Sequence, residues 1–253
     1  MRRMKHPGVA KQRRDAIPGF VSIAFGRSSI LLRREFSTHA PAIAAKLVQL
    51  RDTDEPGLGN RRSGFRLRIA GIPDLFARHS RRGGFFGGLL GDLYFGLRPR
   101  QFRELTIASQ AAQRGVPIAQ PAGAMVERVA PGFYRGFFLS QALDGMSLWE
   151  FVRTDDDALV RLHVLEQARA AIETMHRAGL FHADLNLHNL FVTHRGDGFA
   201  VMILDLDKAR LLDRPLPETT RRANRTRLLR SIHKLDRERR YFSDQAIETL
   251  AGG

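Results

Sequence analysis

The chain has 253 residues, and 41 lysines and arginines against 26 aspartates and glutamates give it a formal net charge of +15. It contains no cysteine, which excludes a disulfide scaffold, a thiolate zinc site and a cysteine nucleophile. Hydrophobic residues make up 43% of the chain, but no apolar run approaches the roughly 18 residues that a membrane-spanning helix needs. This length suits one large domain or two lobes that share a cleft.

Residues 1–56 are expected to form a basic extension that leads into the first strands. The extension lacks the continuous apolar segment of a secretory signal, so a cytoplasmic location is the default expectation. Short strands are predicted at Phe20–Phe25 and Ile30–Leu32, and a short helix at Ala40–Leu50. The cations of the first 14 residues are Arg2, Arg3, Lys5, Lys11, Arg13 and Arg14.

Residues 57–140 predict a lobe built mainly of antiparallel strands. Pro99 can open a helix over Gln101–Arg114, and Gly115 can end it. The expected strands are Gly64–Ala70, Asp74–His79, Gly123–Val129 and Tyr134–Leu139.

Residues 141–253 predict a mainly helical lobe with a basic C-terminal tail. A long helix is expected to be capped by Thr154 or Asp155 and to end at Gly179. Its apolar stripe comprises Leu159, Leu162, Leu165, Ala168, Ile172 and Met175. Strands are predicted at Leu190–Val192 and Ala200–Leu204. The fold class is therefore α+β and bilobal, with a cleft between the lobes and the hinge at 141–144.

The stretch FHADLNLHNLFV at 181–192 and the stretch ILDLDKAR at 203–210 carry the chemistry. Asp184 is a carboxylate in a loop, where it can orient an acceptor hydroxyl and take its proton. Asn189 and Asp205 supply hard oxygen ligands of the kind that Mg²⁺ prefers, and Mg²⁺ bridges nucleotide phosphates. His182 is expected to support the loop from behind. The residue types in these two stretches, and the spacing between them, predict transfer of a phosphoryl group from Mg²⁺–ATP.

The pattern H-A-D-x-x-x-x-N followed by a strand and D-L-D resembles the H-R-D-x-x-x-x-N and D-F-G motifs of protein-kinase-like enzymes. Protein Ser/Thr kinases usually carry Lys at the position of Asn186, near the transferred phosphate. Asn186 at this position argues against a protein Ser/Thr kinase. The predicted catalytic set is Asp184, His182 and Asn186. The chain also lacks an A-P-E motif, which favours a small-molecule acceptor over a protein. Asp207 is a candidate second metal contact, but we favour its pairing with Lys208 or Arg210.

The phosphate-binding part of the first lobe departs from the usual kinase pattern, because no lysine occurs between Lys46 and Lys208. Arg78, at the end of a predicted strand, is the expected replacement, since a guanidinium group can clamp two phosphate oxygens. Glu104 on the following helix is its expected partner. Gly59 and Gly64, within GLGNRRSG, are assigned to nucleotide contact, although their spacing does not fit G-x-G-x-x-G.

Between about residues 57 and 235 the chain resembles the 3-deoxy-D-manno-octulosonic acid (Kdo) kinases of the lipopolysaccharide kinase family. The resemblance rests on R-H-S-R-R-G-G at 78–84, R-E at 103–104, G-V-P-I-A-Q-P at 115–121, the H-A-D motif, L-D-L-D-K-A-R at 204–210 and L-L-R-S at 228–231. It implies phosphorylation of a Kdo hydroxyl on a lipid A precursor with ATP and Mg²⁺. It also implies a location at the cytoplasmic face of the bacterial inner membrane.

An anionic membrane surface would also account for the charge, because each Lys or Arg near such a surface contributes about 1 kcal/mol to binding. The first 14 residues and the segment 221–240 are the expected docking surfaces, and Arg81–Arg82 with Phe85–Phe86 are a further candidate. The basic segments lack interleaved aromatic residues or a known binding motif, which argues against nucleic acid. The motifs are also compatible with a kinase for a different small molecule, such as an aminoglycoside, and with a catalytically impaired scaffold.

Overall fold

The computed structural model describes residues 17–52, 64–79, 92–196 and 198–252. An antiparallel sheet and its helices form the first lobe, and the rest of the described chain forms a mainly helical second lobe. The α+β, bilobal fold expected from the sequence is confirmed. None of the helices within these four ranges is long and apolar enough to cross a bilayer.

The sheet of the first lobe has seven strands among the described residues: β1 (Phe20–Phe25), β2 (Ser28–Arg33), β3 (Gly64–Leu67), β4 (Leu75–His79), β5 (Tyr94–Phe95), β6 (Pro121–Ala130) and β7 (Phe133–Gln141). They run in the order β1-β2-β6-β7-β4-β3, with β5 paired to β7. Because β2 pairs with β6, the strands before residue 57 are part of this sheet.

Two α-helices accompany the sheet. Helix α1 (Ala40–Asp52) follows a 3₁₀ helix (Arg34–His39) and buries Ile43 and Leu47 in the core of the sheet. Helix α2 (Arg100–Gln113) ends where Gly115 takes a φ of +77°, a conformation that costs glycine little. The predicted positions of both helices are confirmed to within one or two residues.

The second lobe begins after β7 and packs its helices against short strand pairs. Its elements are β8 (Gly145–Ser147), α3 (Leu148–Thr154), α4 (Ala158–Arg177), β9 (Leu180–Phe181), β10 (Leu190–Arg195), β11 (Gly198–Ile203), β12 (Arg210–Leu211), α5 (Glu218–Leu235) and α6 (Asp244–Ala251). Strand β10 pairs with β11 and β8, and β12 pairs with β9.

The start of the long helix differs from the sequence prediction. Asp157 caps α4, because its carboxylate accepts hydrogen bonds from the backbone N–H groups of Leu159 and Val160. The predicted caps, Thr154 and Asp155, instead end helix α3. Leu159 lies in the first turn of α4 and is 78% exposed, so its place in the predicted buried stripe was wrong. The predicted stop at Gly179, with a φ of +82°, is confirmed.

The two lobes are joined by packed side chains as well as by the chain itself. Ile107, Ala108 and Ala111 of α2 belong to the apolar core of the second lobe. Ile118, just before β6, forms a parallel bridge with Ile203 at the end of β11. These contacts hold α2 and the end of β11 close to the space between the lobes.

Candidate active site

A cleft of about 1160 Å³ lies between the lobes. The first lobe contributes Phe76 of β4 and Ser140 of β7, and the linker after β7 contributes Ala142. Four polar residues predicted from the sequence also line this cleft: Asp184, Asn186, Asn189 and Asp205. The structure therefore brings together residues that are up to 21 positions apart in the chain.

His182 lies behind the loop and is buried, with 1% of its surface exposed. Its Nε2 lies 2.9 Å from the carbonyl oxygen of Leu204, and its Nδ1 accepts a hydrogen bond from the backbone N–H of Asp184 at 3.1 Å. These two contacts require a neutral ring that carries its proton on Nε2. Asn224 of α5 donates to the carbonyl oxygen of His182 at 2.5 Å. The imidazole thus ties the loop to the strand that leads to Asp205.

The backbone of Asp184 is held in place, whereas its side chain is exposed in the cleft. The side-chain amide nitrogens of Asn186 and Asn189 both donate to the carbonyl oxygen of Asp184, at 2.9 Å and 2.8 Å. The Oδ1 atom of Asn186 accepts from the backbone N–H groups of His188 and Asn189. Both polar ends of Asn186 therefore stabilise the shape of the loop that presents the Asp184 carboxylate.

Asp205 follows β11 and adopts a φ of 65°, in the left-handed region that aspartate tolerates better than most residues. The backbone N–H of Leu204 donates to the carbonyl oxygen of Asn189 at 2.8 Å. This bond places Asn189 and Asp205 side by side at the cleft. Their oxygen atoms are of the type that Mg²⁺ prefers. Within the described part of the chain, no group of three or more His, Asp or Glu residues could hold a metal ion by itself.

Arg78 and Glu104 form an ion pair between β4 and α2, with 2.5 Å between Nη2 and Oε1. Their side chains are 14% and 1% exposed. The other terminal nitrogen of Arg78 lies 3.4 Å from the Asp205 carboxylate. The guanidinium group therefore connects the upper lobe to Asp205 at the edge of the cleft.

Burial controls the ionisation of this pair. Desolvation raises the pKa of Glu104 to about 7, while Arg78 acts in the opposite direction. Desolvation opposes the charge of Arg78, but Glu104, Asp205 and Asp207 together raise its pKa above the ordinary value. Arg78 is thus a permanent cation, and Glu104 is a carboxyl group that ionises near neutral pH.

Asp207 has a different partner from those favoured in the sequence analysis. Both of its carboxylate oxygens accept hydrogen bonds from Arg100, one of them at 2.9 Å. Lys208 and Arg210 are exposed. Arg100 is the first residue of α2 and stacks over the ring of Tyr94 at 4.8 Å, which holds its planar fork toward Asp207. The pairing joins the two lobes, which local sequence spacing could not reveal.

The glycines assigned to nucleotide contact have different outcomes. Gly59 lies outside the described residues, as do the sequences at 1–14 and 81–86 that were considered for membrane docking. Gly64 lies opposite Arg78 in the β3–β4 register. A Cβ atom at Gly64 would be 2.3 Å from Cζ of Phe76, so the absence of a side chain lets this ring, which lines the cleft, lie against β3.

Sequence reasoning missed a second set of cleft residues, which lies on α5. Arg227, Arg230, Ser231 and Lys234 line the cleft beside the catalytic loop. Ser231 Oγ accepts a hydrogen bond from the backbone N–H of Leu187 at 3.2 Å. The spacing of these residues, at i, i+3, i+4 and i+7, places them on one helical face and was visible in the sequence. The expectation that 221–240 is one basic segment for membrane docking does not distinguish this face.

The fold and this cleft define the class of protein as a kinase-like phosphotransferase. Residues 49–252 match the lipopolysaccharide kinase (Kdo/WaaP) family, and the chain belongs to that family. The family and the class of enzyme expected from the sequence, a kinase that acts on a hydroxyl group in lipopolysaccharide core biosynthesis, are thereby confirmed. Membership of a kinase family implies the use of ATP.

Two kinases of known name support the same assignment. The chain is 32% identical over 181 residues to the 3-deoxy-D-manno-octulosonic acid kinase of Pasteurella multocida (strain Pm70), a match that covers 70% of this chain and 73% of the relative. It is 35% identical over 167 residues to the kinase of the same name from Xylella fastidiosa (strain M23), covering 64% of this chain and 63% of that relative. A solved structure described as WaaP in complex with acyl carrier protein is 18% identical, with a TM-score of 0.49 over 74% of this chain and 73% of that one.

Proposed function

We propose that this protein transfers the γ-phosphate of ATP to a hydroxyl group of a Kdo residue on a lipid A precursor. The observation that carries the proposal is the presence of Asp184, Asn189 and Asp205 in one cleft, in a chain of the Kdo/WaaP family. Phosphoryl transfer demands positioning and charge stabilisation more than covalent chemistry, and this arrangement offers both. The substrate class follows from the relatives named above.

Asp184 is the proposed catalytic base. Its exposed carboxylate can accept the proton of the acceptor hydroxyl as the oxygen attacks the phosphorus atom. His182, Asn186 and Asn189 do not need to contact the acceptor for this role, because each of them binds the backbone of Asp184. We assign His182 and Asn186 to positioning the base.

Asn189 and Asp205 are the proposed ligands of Mg²⁺. The amide nitrogen of Asn189 binds the carbonyl oxygen of Asp184, so its Oδ1 is the side-chain atom with the chemistry to bind a cation. Asn189 and Asp205 would hold the ion, which would supply positive charge beside the nucleotide phosphates. Arg78, with Glu104 as its orienting partner, is the proposed contact to the phosphates, and Gly64 lies on the neighbouring strand.

The region of the cleft between Phe76, Ala142 and Leu204 is the proposed adenine site. These side chains come from β4, from the linker after β7 and from the end of β11, and all of them line the cleft. An apolar slot beside backbone groups is typical of nucleotide-base sites. The linker after β7 thus corresponds to the hinge expected from the sequence.

We further propose that the protein docks on the cytoplasmic face of an anionic inner membrane through the tip of the first lobe. This tip exposes Phe95 (70%), Leu97 (84%) and Phe133 (38%), and the rings of Phe95 and Phe133 pack with centroids 5.3 Å apart. Arg98 and Arg128 are exposed beside them. Aromatic side chains flanked by cations are suited to the interface of an anionic bilayer.

Vesicle binding tests the docking proposal. At low salt, the protein is expected to sediment with vesicles that contain anionic phospholipid, and replacing Phe95 and Leu97 with serine should weaken this binding. Leu159→Ser is the matched control, because Leu159 is equally exposed but lies on the second lobe. A protein that stays in solution with such vesicles would contradict membrane docking.

Transfer of phosphate from γ-labelled ATP with Mg²⁺ to a Kdo-bearing lipid A precursor tests the proposed reaction. Asp184→Asn should lower the rate by about 10²–10⁴-fold, which is the usual contribution of a general base. Asp156→Asn is the control, because Asp156 is exposed in the loop between α3 and α4, outside the cleft residues. If Asp184-dependent transfer occurred with other sugars but not with the Kdo-bearing acceptor, the assignment as a kinase would stand. Kdo would then be ruled out as the acceptor.

A further inference from the structure

The cations of α5 that line the cleft form one face beside the catalytic loop. Arg227, Arg230 and Lys234 line the cleft together with Ser231. We call these three cations the α5 basic face. Ser231, on the same face, binds the backbone N–H of Leu187, which lies three residues after Asp184. Ser231 therefore joins the helix that carries the basic face to the loop that carries the proposed base.

The members of this face differ in how they are held. The guanidinium carbon of Arg227 lies 5.3 Å from the centre of the Phe181 ring, and its Nη1 donates to the carbonyl oxygen of Ala223 at 3.0 Å. Arg230 and Lys234 are exposed, and among the described residues neither has an ion-pair or hydrogen-bond partner. One cation is thus fixed in place, and two are available to bind a group within the cleft.

Neighbouring cations on the same helix are used differently. Arg225 pairs with Glu218, and Arg221 donates to the carbonyl oxygen of Leu216 at 2.9 Å. Neither of them lines the cleft. The positive charge of α5 is therefore divided between cations that support the fold and cations that face the substrate cleft.

The position of the basic face favours the acceptor over ATP as its ligand. The proposed phosphate contacts, Arg78 and Asp205, lie on β4 and two residues after β11, and they contact each other. The helix that carries the basic face instead meets the catalytic loop at Leu187, whose backbone N–H donates to Ser231. An acceptor whose hydroxyl reaches Asp184 would place its neighbouring substituents there.

We infer that the α5 basic face binds the carboxylate of the acceptor sugar acid and so orients its hydroxyl toward Asp184. This inference rests on the proposed function for the reaction itself. A carboxylate on the sugar that is phosphorylated lies within a few bonds of each of its hydroxyls, and arginine and lysine are the side chains that recognise carboxylates by charge-assisted hydrogen bonds. The same chemistry would also suit a phosphate of the lipid part, and the experiment separates the two sources.

Binding and kinetics of Arg230→Ala and Lys234→Ala test the inference. Each variant should raise the KM for the Kdo-bearing acceptor by about tenfold or more, as expected for loss of a charged hydrogen bond, with the KM for ATP unchanged. Arg222→Ala is the matched control, because Arg222 is exposed on the same helix and does not line the cleft. A rise in the KM for ATP instead would assign the face to the nucleotide and overturn the inference.

Altered ligands identify the anionic group. Calorimetry should show tighter binding of free Kdo than of its methyl ester to the unaltered protein, and equal, weak binding of both to the Arg230→Ala/Lys234→Ala variant. If the unaltered protein does not distinguish the acid from the ester, or if the variants lose affinity only for acceptors that keep their lipid phosphates, the carboxylate assignment is wrong. These binding measurements do not require turnover, so a failure of the proposed reaction would appear separately, as the absence of phosphate transfer by every protein.

Discussion

The loop at 181–189 lines the cleft, and the Arg78–Glu104 pair lines a small pocket that adjoins it at Asp205. The two are held by different means. The loop is organised by short-range hydrogen bonds from His182, Asn186 and Asn189 to its own backbone, and it presents an exposed carboxylate. The pair joins a strand to a helix 26 residues away and is almost entirely buried. Removal of the Asp184 carboxylate should therefore leave the shape of the loop unchanged. The Arg78–Glu104 pair, in contrast, has a structural role as well as its proposed functional role.

This difference has a consequence for substitutions. Exposed side chains away from caps and cores usually change stability by less than about 0.5 kcal/mol. Removal of one partner from a buried ion pair leaves the other charge desolvated. Changes in the loop should therefore affect rate, and changes in the pair should affect rate and stability together.

Arg78→Ala tests the structural role of the pair and is expected to have the largest effect on stability. It should lower the free energy of unfolding by about 1–3 kcal/mol, because the buried carboxyl group of Glu104 would lose its hydrogen-bond partner. Asp184→Ala should change the free energy of unfolding by less than about 0.5 kcal/mol. Urea unfolding measures both values.

A second substitution provides the control for this comparison. The double variant Arg78→Met/Glu104→Leu should regain much of the lost stability, since apolar residues often replace a buried ion pair without cost. It should not regain activity. Equal losses for Arg78→Ala and Asp184→Ala would contradict the difference between the two regions.

Asp205→Asn tests the end of β11, where the two regions meet. Asparagine tolerates the left-handed backbone conformation at this position, so the fold should be retained while one anionic ligand is lost. We expect the affinity for ATP in the presence of Mg²⁺ to fall by about tenfold or more, the equivalent of at least about 1.4 kcal/mol. The affinity for ATP with EDTA should change much less.

Asp205→Ala separates the backbone from the charge. It should show the same loss of Mg²⁺-dependent binding and an additional loss of stability of about 1 kcal/mol, because alanine is disfavoured at a positive φ. Calorimetry at several Mg²⁺ concentrations, together with urea unfolding, measures these effects. Unchanged Mg²⁺ dependence in both variants would argue against Asp205 as a ligand.

The ionisation of Glu104 predicts a smaller, pH-dependent effect. Its pKa is raised to about 7 from an ordinary value of 4.5, so between these pH values the folded chain holds a proton that the unfolded chain has lost. The extra proton stabilises the folded chain relative to the unfolded chain. This stabilisation is complete below pH 4.5 and is lost as the pH rises through 7. Glu104→Gln should therefore gain stability relative to the unaltered protein as the pH rises from 5 to 7.5. A constant difference between the two proteins over this range would contradict a raised pKa.

Short-range patterns made much of the cleft predictable from the sequence. Asp184, Asn189 and Asp205 belong to a loop and to the ends of two paired strands that follow each other in the chain. All three therefore line the same cleft. Gly115 and Gly179 end helices through their own positive φ angles, which needs no distant partner. The class of fold followed from the same patterns.

Apart from the Arg78–Glu104 pair, features that depend on distant partners were not predicted. Asp207 binds Arg100, 107 residues away, and only the packing of α2 brings them together. Helix α5 was not predicted, because it is strongly polar and buries few side chains, among them Leu228 and Ile232. Leu159 is apolar and in register with the buried stripe, yet α4 begins beyond the edge of the core there.

The most direct test of the account compares ATP binding and phosphate transfer in Asp184→Asn and Arg78→Lys. Asp184→Asn should bind ATP with unaltered affinity and transfer almost no phosphate. Arg78→Lys should bind ATP about tenfold more weakly, because lysine cannot keep both carboxylate contacts while it serves the phosphates. Loss of ATP binding by Asp184→Asn, or wild-type affinity in Arg78→Lys, would contradict the assignment of a catalytic base to the loop and a phosphate contact to the buried pair.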